Sequence, residues 1–183
     1  MYGTKTSFKM VKADSNWSWH LWINYLFFRH PYVWPEPTFF VSRAASSHLD
    51  FDLDLASKMD STNPVYYAQY AHARLCAVLE KANSIPLDIQ GKCLGADKEL
   101  KLLKVLCDFP KEIAQAAEAR APFKITNYIQ KLATTIHEFY TECRVLDESN
   151  LDVTSSRLAL CKAAQIVMRN ALTTIGVSSP TKM

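Results

Sequence analysis

Four glycines in 183 residues constrain this chain more than any other feature. An average protein carries about 7% glycine. The four are Gly3, Gly91, Gly95 and Gly176, and no two share a G-x-G-x-x-G or G-x-x-x-x-G-K-[ST] spacing. Loops that cradle phosphate need glycine so that backbone N–H groups can approach the anion. A dinucleotide fingerprint and a Walker-type loop are therefore excluded. So few glycines also argue against a sheet protein with many tight turns, and favour helices joined by few connections.

Hydrophobic residues make up 49% of the chain and charged residues 21%, enough for a real core. The net charge of +3 is unevenly spread, but no block of the chain is polybasic. Nucleic-acid binding by charge alone is thus not expected. The five cysteines, Cys76, Cys93, Cys107, Cys143 and Cys161, include no C-x-x-C pair. They read as reduced, mostly buried thiols of a cytoplasmic protein, with neither a disulfide framework nor a zinc site. Trp17–Phe28 is apolar but broken by Ser18, His20 and Asn24. A bilayer span needs about 20 predominantly apolar residues, so no membrane helix is expected.

Two regions separate by composition. Residues 1–47 hold all four tryptophans and five of the nine phenylalanines, with Pro31, Pro35 and Pro37 following a short helical stretch from Asp14 to Arg29. They read either as an irregular aromatic segment packed on the main domain or as an interaction surface, since tryptophan is enriched at interfaces. Residues 48–183 read as a helical domain. It begins with His48-Leu49-Asp50-Phe51-Asp52-Leu53-Asp54-Leu55, whose period-two alternation predicts an extended segment. Its D-x-D-x-D matches the start of an EF-hand loop. Leu55 stands where the loop needs glycine and Ser61 where it needs glutamate, so calcium is not expected.

Asn63-Pro64 predicts a helix start, with Asn as N-cap and Pro at the first helical position. Val65, Ala68, Leu75, Cys76 and Leu79 form its apolar stripe up to about Ala82. Tyr66, Tyr70 and Arg74, at i, i+4 and i+8, form a polar-aromatic face with Gln69. Such a face can stack on bases and hold phosphate, or simply pack on a neighbouring helix. Residues 83–96 form the main loop. A short helix follows from Asp97 with Leu100, Leu103, Leu106 and Cys107, and Asp108-Phe109-Pro110 opens another. Pro122 opens a long helix striped by Ile125, Ile129, Leu132, Ile136, Phe139 or Tyr140, and Cys143. The last helix takes its caps from Asp152–Ser156 and ends at Gly176, a left-handed C′ position. About five helices in an all-α bundle are predicted.

No catalytic or metal constellation emerges. His137-Glu138 begins an H-E-x-x-H pattern, but Thr141 occupies the second histidine position. No G-x-S-x-G is present, and no cofactor is expected in this chain.

The run Asn63-Pro64-Val65-Tyr66-Tyr67-Ala68-Gln69-Tyr70-Ala71-His72-Ala73-Arg74, with Ser47–Leu53 before it, resembles arginyl-tRNA synthetase. Ala121-Pro122, Phe139-Tyr140-Thr141-Glu142-Cys143-Arg144-Val145-Leu146, Arg157-Leu158-Ala159-Leu160 and Ala171 through Met183 continue the family pattern in order. The resemblance covers about residues 39–183. It implies the helical anticodon-binding domain of that class I synthetase, with tRNA(Arg) as partner. It nominates Tyr66, Tyr70 and Arg74 for RNA contact, together with the terminal Met183, and offers Gln69 and His72 either as further contacts or as packing residues. The family's Lys-Met-Ser-Lys motif has a degenerate counterpart in Lys9-Met10-Val11-Lys12, so Lys9 and Lys12 are a remnant of an ATP-phosphate loop. The nucleotide-binding half of the family is missing. The resemblance therefore implies that these residues alone do not make arginyl-adenylate, and that residues 1–38 are a replaced or decayed segment. A separate catalytic half and self-association through Trp17, Trp19 and Trp22 are the two further partners this leaves open. The alternative is a non-catalytic interaction module or a decayed remnant.

Overall fold

The computed structural model describes Phe39, Asp54, Leu55 and residues 58–183. Four helices succeed one another there: α1 (Pro64–Lys81), α2 (Asp97–Glu118), α3 (Phe123–Glu142) and α4 (Leu151–Thr174). They pack as an all-α bundle, with α2 most extensively on α3, and α1 against both α3 and α4. The Trp-rich segment, Lys9, Lys12 and most of the Asp50–Asp54 alternation lie outside the described residues. Asp54 and Leu55, at the end of that alternation, are helical rather than extended.

Local capping explains three of the helix ends. The Asn63 Oδ1 accepts from the Val65 N–H at 3.0 Å and the Tyr66 N–H at 3.4 Å, while its Nδ2 donates to the Lys58 carbonyl at 2.9 Å. Pro64 follows at the first helical position, where a missing N–H costs nothing. At the other end of the domain Gly176 has φ +77, and the N–H of Val177 reaches back to the Leu172 carbonyl at 2.9 Å. That pairing ends α4 in the way its glycine predicts. The N-cap of α4 is Asn150, two residues before the expected Asp152, with its side chain on the Val153 N–H.

The largest departure from the sequence reading is α2. Two helices were expected, divided at Asp108-Phe109-Pro110; one helix of 22 residues runs through Pro110. A proline inside a helix costs about 3 kcal/mol. Packing on both sides of it offsets that cost, with Leu102, Val105 and Leu106 buried before it and Ala116 after. Pro110 itself is on the exposed side. The Tyr128 hydroxyl of α3 donates to the Val105 carbonyl at 3.0 Å, and the Phe109 and Tyr128 rings lie 5.4 Å apart. These ties hold α2 against α3 next to the proline.

The inward face of α2 also differs. Leu100, Leu103 and Cys107 are exposed; of the predicted stripe only Leu106 is buried. The helix has apolar residues on two sides, and the side that turns inward contains Glu99, only 1% exposed. Its Oε2 accepts from the N–H groups of Gly95 and Ala96, each at 2.8 Å, and its Oε1 from Arg157 Nε of α4 at 2.6 Å. Ala96, not Asp97, is thus the N-cap. The stripe of α3 follows its prediction, with Ile129, Leu132, Ile136, Phe139 and Cys143 buried and Ile125 half-buried against them.

Candidate nucleic-acid interface

Six residues of the described domain were nominated from sequence, and the fold divides them into two groups. Tyr66 and Tyr70 stand one turn apart on α1, and their rings are parallel to within 4° at 6.5 Å. Tyr70 is 42% exposed, an unusual amount for a large aromatic on a packed helix. Arg74 comes one turn later, yet its guanidinium does not continue the row. It lies 3.5 Å over the ring of Tyr140, on α3. That cation–π contact holds one face of the guanidinium flat on the protein.

The row of rings continues across the helix boundary instead. His137 of α3 stacks on Tyr70 with centroids 5.8 Å apart and planes within 19°. Its other neighbour is Tyr67, at 4.5 Å and a 44° tilt. Tyr66, Tyr70 and His137 therefore make one aromatic shelf spanning α1 and α3. His137 and Tyr140 were not nominated from sequence. The signal was their position at i and i+3 on α3, but which helix they face is a tertiary fact.

Gln69, His72 and Met183 belong to a different structure. Gln69 and His72 are buried, at 5% and 2% exposure. The Gln69 amide donates to the Ser178 Oγ at 3.0 Å and its carbonyl at 3.3 Å. The His72 Nδ1 donates to the Pro180 carbonyl at 2.9 Å. Lys182 then pairs with Glu80 at 3.6 Å, so the tail runs along α1 towards its C-terminal end. The expected placing of Gln69 with the tyrosine face does not hold. Four residues after Val65 and three before His72, it shares the Val65–Cys76 side, which the tail covers. Met183, 50% exposed, follows Lys182 and so lies towards the end of α1, not beside Tyr66.

Buried His72 and half-buried His137 both have their protonation pushed below the ordinary value of 6.5. For His72 burial is the main cause, opposed by the Pro180 carbonyl and reinforced by the charge of Arg169. For His137 burial again leads, opposed by the Tyr67 backbone and reinforced by Arg74. The unfolded chain takes up protons near pH 6.5 that the folded chain refuses, so stability rises with pH in this range. Thermal melts are expected to show stability falling as pH drops from 7 to 5, with His72→Gln flattening the slope; a midpoint constant over that range would contradict it.

Comparison with known proteins identifies the family of the helical bundle. Residues 68–183 match the family model described as the DALR anticodon binding domain. Arginine–tRNA ligases from Bacillus licheniformis and Bacillus subtilis are each 48% identical over 149 residues, which is 79% of this chain and 27% of theirs. The chain thus spans about a quarter of the length of the curated relatives it matches. Among solved structures, the arginyl-tRNA synthetase of Thermus thermophilus superposes with a TM-score of 0.67 at 26% identity, covering 80% of this chain and 26% of that one. A Campylobacter jejuni chain assigned to the arginyl-tRNA synthetases gives 0.70 at 31% identity, covering 80% and 32%. With the family model covering more than half of its residues, this chain belongs to the DALR anticodon binding domain family, in the form found in arginyl-tRNA synthetases.

Proposed function

We propose that this domain recognises tRNA(Arg) by stacking unpaired anticodon-loop bases on α1 as part of arginyl-tRNA aminoacylation in the cytoplasm. The parallel pair of Tyr66 and Tyr70 at the surface carries the reading. Every base offers a π face, so a ring shelf takes single-stranded RNA without needing a polybasic patch. That suits a chain whose net charge is only +3. Arg74, already flat on Tyr140, offers its outer face and N–H groups to a base or phosphate. Gln69 and His72 act indirectly, by fixing the tail that presents Met183. Formation of arginyl-adenylate, and ATP binding with it, needs the nucleotide-binding half that these 183 residues do not include. That half would come from a longer polypeptide or from a separate chain.

Binding of tRNA(Arg) to the full chain at low salt is the test. Arg74→Ala is expected to weaken it about tenfold, with the affinity of both forms falling as salt rises. Equal binding by wild type and Arg74→Ala would rule out this face.

A further inference from the structure

The Tyr67 backbone faces the His137 imidazole, yet its Nε2 is the one buried side-chain nitrogen or oxygen without a hydrogen-bond partner of good geometry among the described residues. A buried polar atom left unpaired costs free energy, and native structures seldom carry one without a reason. The rings against His137 are Tyr67, packed on the core, and Tyr70, which is exposed. Only Tyr70 can turn away from the imidazole without opening the bundle.

Building on the tRNA reading above, we infer that His137 is a concealed nucleotide-reading residue. When RNA binds, Tyr70 turns out to stack on a base, and the uncovered Nε2 pairs with a polar edge of the nucleotide beside it. A ribose 2′-hydroxyl donates and accepts, so it complements either neutral tautomer of the ring; a base edge bearing N–H or carbonyl groups does so too. The unpaired nitrogen thus disfavours the RNA-free state and is satisfied in the bound one, which adds to affinity without any additional charge. The shelf would then distinguish among nucleotides, which stacking alone does poorly.

His137→Phe separates this role from packing, because it keeps an aromatic ring against Tyr67 and Tyr70 and removes the nitrogen. The full chain is titrated with a synthetic anticodon stem-loop of tRNA(Arg), and its melting temperature is measured without RNA. The melting temperature is expected to hold or rise, while affinity falls about tenfold. Loops carrying single 2′-deoxy substitutions, or single bases lacking one edge group, then identify the partner. The correct one erases the difference between wild type and His137→Phe. Unchanged affinity, a lower melting temperature, or no substitution that erases the difference would each overturn the assignment. Arg74→Ala is run alongside. If it loses binding while His137→Phe does not, the His137 role alone fails. If wild type leaves the stem-loop unbound, the tRNA reading itself fails.

Discussion

Glu99→Ala is expected to destabilise the bundle by about 3 kcal/mol, the scale of breaking a buried ion pair. Three bonds disappear together: two to the N–H groups of Gly95 and Ala96 at the start of α2, and one to Arg157 Nε. What is left behind weighs more than what is lost. Arg157, with its side chain 18% exposed, would keep a charge without its carboxylate, held in place by its 2.8 Å bond to the Arg144 carbonyl. The double variant Glu99→Leu, Arg157→Met is expected to recover a good part of the loss, because no uncompensated charge remains. Acid should act as the alanine does. Burial disfavours ionisation of Glu99, but Arg157 and the two backbone donors outweigh it and hold the carboxyl below its ordinary value. Its contribution is therefore present near neutrality and lost as pH falls through the lowered value. Urea unfolding of the three proteins measures this directly. A single variant within about 0.5 kcal/mol of wild type would show that the pair contributes nothing.

The second large effect concerns RNA. Tyr66→Ala with Tyr70→Ala is expected to lower tRNA affinity about a hundredfold, since stacking contributes about 1–3 kcal/mol per base and each 1.4 kcal/mol is a factor of about ten. The matching phenylalanine variants keep the π faces and are expected to bind within about threefold of wild type. Neither tyrosine is fully buried, so the double alanine variant should still melt cooperatively. Filter binding or fluorescence titration at fixed low salt gives both numbers. Equal affinity of the alanine and wild-type chains would remove stacking from the mechanism, and weak binding by the phenylalanine variants would point to the hydroxyls instead.

These features differ in how far they can be read from sequence, and the difference is physical. Asn63-Pro64 and Gly176 were legible because caps are local: the partners lie within a few residues of the residue that signals them. The stripe of α3 was legible because only one side of that helix is apolar. On α2 the same logic failed twice. Pro110 breaks an isolated helix, but packing from α3 decides otherwise, and an apolar pattern on two sides does not say which side is inward. Glu99 looks like a surface residue until Arg157, 58 positions away, is brought to it. The site divides in the same way. Tyr66 and Tyr70 could be paired by spacing on one helix, whereas His137 joins them only once α3 lies beside α1. Gln69 is singled out by its place on α1 and His72 by the family pattern, but their work of holding the tail depends on partners more than 100 residues distant.

That last separation has a kinetic consequence. The bonds from Gln69 to Ser178 close a loop of 109 residues, among the costliest closures a chain of this size makes. Contacts of such long range cost least loop entropy once nearer ones have ordered the segment between them. Docking of residues 178–180 is therefore expected to come late in folding, after α1 and α4 have met. Until then the Gln69 amide and the His72 imidazole face a groove still open to water. Exchange of the His72 Nδ1–H, which donates to the Pro180 carbonyl, would consequently report the finished domain, while the amides of each helix could already be protected on their own.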